Sequence, residues 1–286
     1  MIERVAILGT GLLGTSVGLA LRAAGFGGSI VGWNRSPEGG REALEMHAVD
    51  SLANDALHCA RDSQVAVLSV PIYSTLDFME QFSAILGPDH LLTDVGSTKA
   101  QITAAAGRLF NAPDRAAFLP GHPMAGKERG GASLGDANLF RGAVWLFTDD
   151  PAWQRSPDSA ELVSNWRGWI QAIGSRVIDL DAARHDELVA WVSHLPQFTA
   201  TALSALLEDQ VGDAPELKDV GGRALREMTR LGASPFSMWR DIAHTNTAAI
   251  EAALQALEQR LAHIRENLRT PELREEFERA NQFRRE

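Results

Sequence analysis

The apolar residues at the N-terminus change from a strand pattern to a helix pattern and back. Residues 3–8 form a short apolar run that ends at Gly9, as a buried strand would. From residue 13 to residue 24 the apolar positions recur at helical spacing, and Gly25 then favours the end of a helix. Residues 29–33 form a second apolar run. The pattern predicts a strand, a glycine-rich loop, a helix and a second strand in succession.

The same alternation continues to about residue 150. Further strands are predicted at residues 65–70, 91–95, 116–119 and 143–147, and helices at residues 76–86 and 97–110. We expect the hydroxyls of Ser97 and Thr98 to cap the second of these helices. Strands that alternate with helices form a parallel sheet covered on both faces. The fold class predicted for this part is therefore α/β, with a Rossmann-type doubly wound sheet.

The pattern becomes almost entirely helical after a linker-like stretch at residues 149–159. Helices are predicted at residues 160–173, 185–208, 217–231, 237–267 and 271–285. A short strand at residues 176–180 is expected to complete the first sheet. A chain of 286 residues favours two domains. We predict a Rossmann domain at residues 1–155 and an all-α C-terminal domain at residues 156–286.

Composition narrows the classes of partner. The chain has 37 acidic and 27 basic residues and a formal net charge of −10, and such a surface repels nucleic acids and anionic membranes. Cys59 is the single cysteine, so no internal disulfide can form, which fits a reducing cytoplasm. The sequence has no signal peptide and no apolar run long enough to span a membrane. We expect a cytoplasmic protein that binds a small molecule in a local pocket and holds no metal.

The loop Gly9-Thr10-Gly11-Leu12-Leu13-Gly14 has the spacing of a dinucleotide-binding loop. Gly9 permits a tight turn out of the strand, Gly11 lets a pyrophosphate approach the backbone, and Gly14 lets the helix pack on the sheet. The helix N-terminus then presents free N–H groups to the phosphates. Because the loop lies between a predicted strand and a predicted helix, we expect all six residues to form the phosphate-binding turn.

The end of the second predicted strand indicates which dinucleotide is bound. Enzymes that use NAD place an Asp or Glu there, on the ribose 2′-hydroxyl. Here the strand is followed by Asn34, Arg35 and Ser36. Arg35 can pair with a 2′-phosphate and Ser36 can add a hydrogen bond. We expect NADP to be preferred over NAD, and we expect Val70 and Pro71, after the third predicted strand, to line the cofactor pocket.

Two later loops carry a resemblance to a known family. Asp94–Lys99 and Pro120–Glu128 each follow a predicted strand, and ligands of open α/β sheets bind at that edge. Together with the glycine loop, Ser193–Pro196, and Thr229–Leu231 leading to Met238–Asp241, they make the chain resemble the prephenate and arogenate dehydrogenases of tyrosine biosynthesis. The resemblance covers nearly the whole chain. It implies oxidative decarboxylation with hydride transfer to NAD(P), and a helical domain that binds the substrate and forms a homodimer.

The resemblance also implies roles for five side chains. His122 corresponds to the histidine that accepts the proton of the substrate C4 hydroxyl, a role that suits a neutral imidazole. Ser97 corresponds to a serine that hydrogen-bonds the same hydroxyl or that histidine. Arg230 corresponds to an arginine that holds a substrate carboxylate, where a guanidinium pairs bidentately. His185 and Trp239 correspond to residues of the substrate pocket, Trp239 with plain core packing as an equal alternative.

The chain departs from the family pattern at Gln197. Many relatives have a histidine directly after Ser-His-Leu-Pro, whereas glutamine cannot become cationic and would hold a carboxylate less strongly. Gln197 could instead suit a substrate with an ammonium group, such as arogenate. A third substrate, 4-amino-4-deoxyprephenate, also stays open. Gln197 is thus a candidate substrate-binding residue at which specificity is decided.

Other classes of function are less compatible with the residues. β-Hydroxyacid dehydrogenases and pyrroline reductases join similar domains but usually rely on a lysine of the helical half or on a Tyr or Asp donor. The helical half has only Lys218, and Tyr73 is the single tyrosine. A non-catalytic nucleotide sensor would not need His122, Ser97 and Arg230 together. Because no mutase or regulatory segment accompanies the motifs, we expect a monofunctional enzyme with weak or no allosteric inhibition.

Overall fold

The computed structural model describes residues 1–285, apart from the side chain of Lys218, and it confirms an α/β fold followed by a helical part. The strands are β1 (Arg4–Leu8), β2 (Ser29–Trp33), β3 (Ser51–Leu52), β4 (Val65–Leu68), β5 (Leu91–Asp94), β6 (Ala117–Leu119), β7 (Gly121–Pro123), β8 (Val144–Phe147) and β9 (Arg176–Asp179). The first six form a parallel sheet in the order β3-β2-β1-β4-β5-β6. The order reverses between β1 and β4, which is where ligands of open α/β sheets bind.

The helices fall into two groups. Those of the first part are α1 (Leu12–Ala23), α2 (Pro37–Glu45), α3 (Ala56–Arg61), α4 (Ile72–Ser83), α5 (Ala100–Leu109) and α6 (Pro157–Ala172). Those of the second part are α7 (Ala182–Val189), α8 (Leu195–Val211), α9 (Leu217–Val220), α10 (Arg223–Thr229), α11 (Phe236–Thr245), α12 (Thr247–Glu266) and α13 (Pro271–Arg285). None of the helices described is both long enough and apolar enough to cross a membrane.

A second sheet of three strands, β7-β8-β9, corrects two sequence predictions. Arg176–Asp179 does not complete the first sheet, because it pairs in parallel with β8. The segment Gly121–Pro123 is a strand rather than a loop, and it pairs antiparallel to β8 with His122 opposite Leu146. Pro120 separates β6 from β7, and its carbonyl accepts a hydrogen bond from the Thr148 N–H at 3.1 Å. At Pro120 the chain thus passes from the first sheet into the second.

The long helices predicted for the second part are interrupted. Residues 185–208 are divided by a π-helical segment, Ala190–His194, because Pro196 in the first turn of α8 has no N–H to continue the ladder. Residues 217–231 break at Gly221 and Gly222, and residues 237–267 break at Asn246. Residues 34–64 contain α2, β3 and α3, which the apolar pattern did not predict because β3 has two residues and α2 is largely polar.

Both faces of the six-stranded sheet are covered. On one face α1 and α6 bury Leu21, Trp166 and Ile170 against the strands. On the other face α4 and α5 pack together with Ile242 and Ile250 of the helical part. The domain division at residue 155 stays a prediction, although α6 and β9, which follow that residue, pack with the two sheets.

Ile170 tests whether α6 belongs to this core. Its side chain is 0% exposed, whereas Ile85, just beyond α4, is 47% exposed. We expect Ile170→Ala to lower the free energy of unfolding by about 2–5 kcal/mol, because it leaves a cavity in a close-packed face. Ile85→Ala, the matched control, should cost less than about 1 kcal/mol. Urea denaturation followed by circular dichroism measures both; equal losses would remove α6 from the core.

Candidate functional site

The glycine loop at the end of β1 is shaped by close backbone contacts. Gly9 has φ +96°, and a Cβ on it would lie 2.1 Å from the Ser69 carbonyl oxygen. A Cβ on Gly14 would lie 2.0 Å from the Gly9 carbonyl oxygen, so the start of α1 packs directly on the turn. A Cβ on Gly11, in contrast, would face open space. Gly11 precedes the first turn of α1, whose N–H groups have no partner within the helix, and such a turn suits a pyrophosphate.

The other candidate cofactor residues surround this loop. Leu12 is buried and Leu13 is half-buried against the core, so both anchor the first turn of α1. Val70 follows β4, and its Cγ1 would lie 2.8 Å from a Cβ on Gly9. Pro71 is the residue before α4. Val70 therefore borders the glycine loop across the β1–β4 switch point, and Pro71 follows it in the chain.

The segment after β2 carries no carboxylate. The Asn34 side-chain amide donates to the Ser36 carbonyl oxygen at 3.0 Å and so closes the turn that leads into α2. Arg35 is exposed, and the Ser36 hydroxyl precedes α2 without capping it. A guanidinium and a hydroxyl are thus available beside the N-terminus of a helix, which is a favourable place for a phosphate.

A buried ion pair organises the loop after β5. The Lys99 ammonium donates to Asp94 Oδ2 at 2.6 Å, and both side chains are fully buried. Asp94 Oδ2 also accepts from the Gly96 N–H at 2.8 Å, and Oδ1 accepts from the Gly121 N–H at 3.0 Å. A single carboxylate therefore holds the loop that carries Ser97 and the strand that carries His122 next to each other. Ser97 itself is half-buried.

His122 lies at the inner end of this arrangement. It is 7% exposed, and its Nδ1 lies 2.9 Å from Nε2 of His185. Burial, followed by the neighbouring charges of His185 and Lys99, places the pKa of His122 well below its ordinary value. His122 is therefore a neutral imidazole near pH 7, the form that can accept a proton.

The N-terminus of α5 is not capped as predicted. Thr98 hydrogen-bonds the Thr245 hydroxyl at 2.7 Å instead of capping the helix. The N–H groups of Lys99 and Ala100 donate to the two carboxylate oxygens of Asp186, at 2.7 and 2.9 Å. Asp186 comes from α7, more than eighty positions later. Its role was missed because a cap supplied from so far along the chain leaves no local sequence signal.

Two candidate substrate residues of the helical part, Arg230 and Gln197, are associated with the segment directly after α10. Arg230 is 60% exposed and forms an ion pair with Glu128 of the loop after β7. Gln197 is buried in α8, where its amide donates to the Leu231 carbonyl oxygen at 2.7 Å and accepts from the Ser234 hydroxyl at 3.1 Å. Gln197 thus holds the backbone next to Arg230. Both the nitrogen and the oxygen of the Gln197 amide therefore form hydrogen bonds to this segment.

Trp239 packs between two aromatic rings of the helical part. Its ring meets those of His194 and Phe198 edge to face, at centroid separations of 5.8 and 5.7 Å. Burial lowers the pKa of His194 to about 4, so this histidine is neutral as well. These contacts make His194 a packing residue, and they use most of the Trp239 ring for packing as well.

The comparisons with known proteins decide the family. The family model described as prephenate dehydrogenase, nucleotide-binding domain, matches residues 17–176, and the model described as prephenate dehydrogenase, dimerization domain, matches residues 181–282. The chain belongs to the prephenate dehydrogenase family. The resemblance inferred from the motifs is thereby confirmed.

Members of this family are similar to the chain over nearly all of its length. A prephenate dehydrogenase of Lactococcus lactis is 30% identical over 92% of this chain and 70% of that protein. The solved structure of Aquifex aeolicus prephenate dehydrogenase with hydroxyphenyl propionate and NAD+ has a TM-score of 0.83 and 26% identity, and covers 100% of this chain and 96% of that one. The structure of Synechocystis arogenate dehydrogenase has a TM-score of 0.76 and 27% identity, and covers 98% of both chains.

Lys99 tests how far the site depends on the buried pair. We expect Lys99→Met to lower the free energy of unfolding by about 3–5 kcal/mol, because it leaves the Asp94 carboxylate buried without its cation. The control is Lys127→Met, since Lys127 forms a partly exposed pair with Asp136 at 3.9 Å, and its loss should cost less than about 1 kcal/mol. Chemical denaturation measures both variants. Equal stability of Lys99→Met and the wild type would contradict this assignment.

Proposed function

We propose that the chain is an NAD(P)-dependent dehydrogenase that oxidatively decarboxylates prephenate in tyrosine biosynthesis, with NADP preferred as the acceptor. The observation that carries the proposal is a buried His122 on the strand that Asp94 joins to the Ser97 loop, at the edge where the glycine loop also lies. The dimerization domain of the family supports a homodimer. A cytoplasmic location fits the single, buried cysteine and the acidic composition.

The reaction breaks a C–H bond and a C–C bond of the substrate. It needs a group that accepts one proton and later returns it. The C4–H bond pair leaves as hydride, for which the nicotinamide supplies the acceptor when it is bound. The His122 ring takes the C4 hydroxyl proton as the carbinol becomes a carbonyl. The bond from C1 to the ring carboxylate then breaks, CO2 departs, and the electron pair enters the ring. The proton returns from His122 to the phenolate oxygen, so charges and protons balance.

The remaining candidate residues position the substrate. Ser97 lies on the loop that Asp94 joins to the His122 strand, and it donates to or accepts from the C4 hydroxyl. Arg230 binds a substrate carboxylate, for which Glu128 is the internal substitute in the free protein. Gln197 acts on the substrate through the segment after α10 that it holds. Trp239 supports α8, the helix that carries Gln197, through its contacts with His194 and Phe198.

The activity is tested by following absorbance at 340 nm with NADP and prephenate, with arogenate and 4-amino-4-deoxyprephenate as alternative substrates. We expect His122→Asn to reduce kcat by about 10²–10⁴-fold with little change in substrate binding, because the proton acceptor is lost. His58→Asn is the control, since His58 is exposed on α3. Failure of all three substrates would refute the proposal, and an unchanged kcat would remove His122 from the mechanism.

The cofactor preference is tested at Arg35. Arg35→Ala should raise KM for NADP by roughly 10–100-fold, the equivalent of a charged hydrogen bond of about 1.5–3 kcal/mol, and leave KM for NAD nearly unchanged. The matched control is Arg41→Ala, which removes another exposed arginine from the same α2 region. A wild-type kcat/KM that is higher with NAD than with NADP would contradict the preference.

A further inference from the structure

Two buried residues behind His122, His185 and Asp186, take no part in the mechanism above. His185 is fully buried, and both nitrogens of its ring are occupied. Its Nδ1 lies 2.8 Å from Asp186 Oδ1, and its Nε2 lies 2.9 Å from His122 Nδ1. A ring bonded at both nitrogens has none left to bind a substrate. Any effect of His185 on the chemistry therefore passes through His122.

Asp186 determines which group donates and which accepts in each of these hydrogen bonds. Its carboxylate accepts from the Lys99 and Ala100 N–H groups, which can only donate. The first turn of α5 thus keeps Asp186 in the role of an acceptor. The His185 Nδ1 must then carry a proton in order to bond to Oδ1. In a neutral ring this leaves a lone pair on the His185 Nε2.

Whether His185 is neutral or cationic determines the direction of its hydrogen bond to His122. A cationic His185 would donate from Nε2 and force the proton of His122 onto its outer nitrogen. Burial opposes that state: it is the largest influence on the pKa of His185 and lowers it, although the hydrogen bond to Asp186 acts the other way. The charges of Lys99 and Asp94 also reach this ring, the first lowering and the second raising its pKa. A neutral His185 accepts the Nδ1 proton of His122.

We propose that Asp186, acting through His185, holds His122 in the tautomer that carries its proton on Nδ1, so that Nε2 is free to accept the substrate proton. The inference rests on the proposed function, because it assigns the Nε2 lone pair of His122 to the C4 hydroxyl. His185 and Asp186 are positioning residues, one and two hydrogen bonds away from the His122 ring. When His122 becomes cationic, its Nδ1–H keeps its bond to His185, which stabilises the imidazolium.

The tautomer can be measured without any substrate. In protein labelled with ¹⁵N-histidine, long-range ¹H–¹⁵N NMR distinguishes a protonated ring nitrogen from an unprotonated one, and a difference spectrum with His122→Asn assigns the signals. We expect Nδ1 of His122 to be protonated and Nε2 unprotonated at pH 7. A proton on Nε2 in the wild type would overturn the proposal. This result is independent of whether prephenate is the substrate.

Two variants at His185 separate positioning from packing. His185→Gln keeps a carbonyl oxygen that can accept from His122 and an amide that can donate to Asp186, whereas His185→Leu has a similar size and offers neither. We expect His185→Leu to lose about 10²–10⁴-fold in kcat, with KM within about threefold of the wild type. His185→Gln should recover at least about tenfold of that loss. In His185→Leu the His122 proton should move to Nε2.

The outcomes distinguish the proposal from a structural role. Equal losses of kcat in the Gln and Leu variants would show that the volume of the ring matters rather than its hydrogen bonds, and would overturn it. If the wild type proves inactive on every cyclohexadienol while NMR shows the proton on Nδ1, the proposed function fails and the tautomer assignment stands. If activity is found but the proton lies on Nε2, the tautomer assignment fails alone.

Discussion

The Asp94–Lys99 ion pair lies at the point where β5 ends, and neither side chain is exposed to solvent. Burying two charges carries a large desolvation penalty, which is offset only when further hydrogen bonds satisfy the remaining lone pairs. Asp94 meets that condition through the N–H groups of Gly96 and Gly121, and the Lys99 ammonium also donates to the Thr98 carbonyl oxygen at 3.1 Å. The hydrogen bonds of this one ion pair therefore fix the loop after β5 relative to β7, a strand of the second sheet. The backbone bonds of Gly96 and Gly121 to Asp94 place the next residues in the chain, Ser97 and His122.

Much of the first part could be predicted from the apolar pattern. β1, β2 and the start of α1 were predicted almost to the residue, because a buried parallel strand and a glycine-rich turn both leave strong local signals. The order of the strands, with its switch point between β1 and β4, came from the structure, because the apolar pattern does not say which strands are neighbours. For the site, the sequence predicted the residue types on each loop, and the structure brings the His122 strand and the Ser97 loop together. The family resemblance supplied the chemistry that these residues would share.

Other features depend on contacts between residues far apart in the chain. β7 pairs with β8 and β9 joins the second sheet, and neither partner can be read from a three- or four-residue segment. Gln197 was expected to face the substrate, but the hydrogen bonds of its amide depend on where Leu231 and Ser234 fold back on α8. The family resemblance implies a pocket role for His185, and nothing local in the sequence shows that its neighbour Asp186 caps a helix in the other part of the chain. In each case the hydrogen-bond partner comes from a distant part of the chain, which the local sequence does not indicate.

The capping of α5 by Asp186 bears on how this architecture can be recombined. A nucleotide-binding domain is usually regarded as a portable module, to which different partner domains can be attached. Here the first turn of α5 obtains its acceptor from α7, so a fragment that ends before α7 would leave two N–H groups of that turn without it. A chimaera that joins residues 1–180 to an unrelated helical domain would have to restore a carboxylate at this position. The two parts thus share the N-terminal cap of α5. We therefore expect them to be transferable only together.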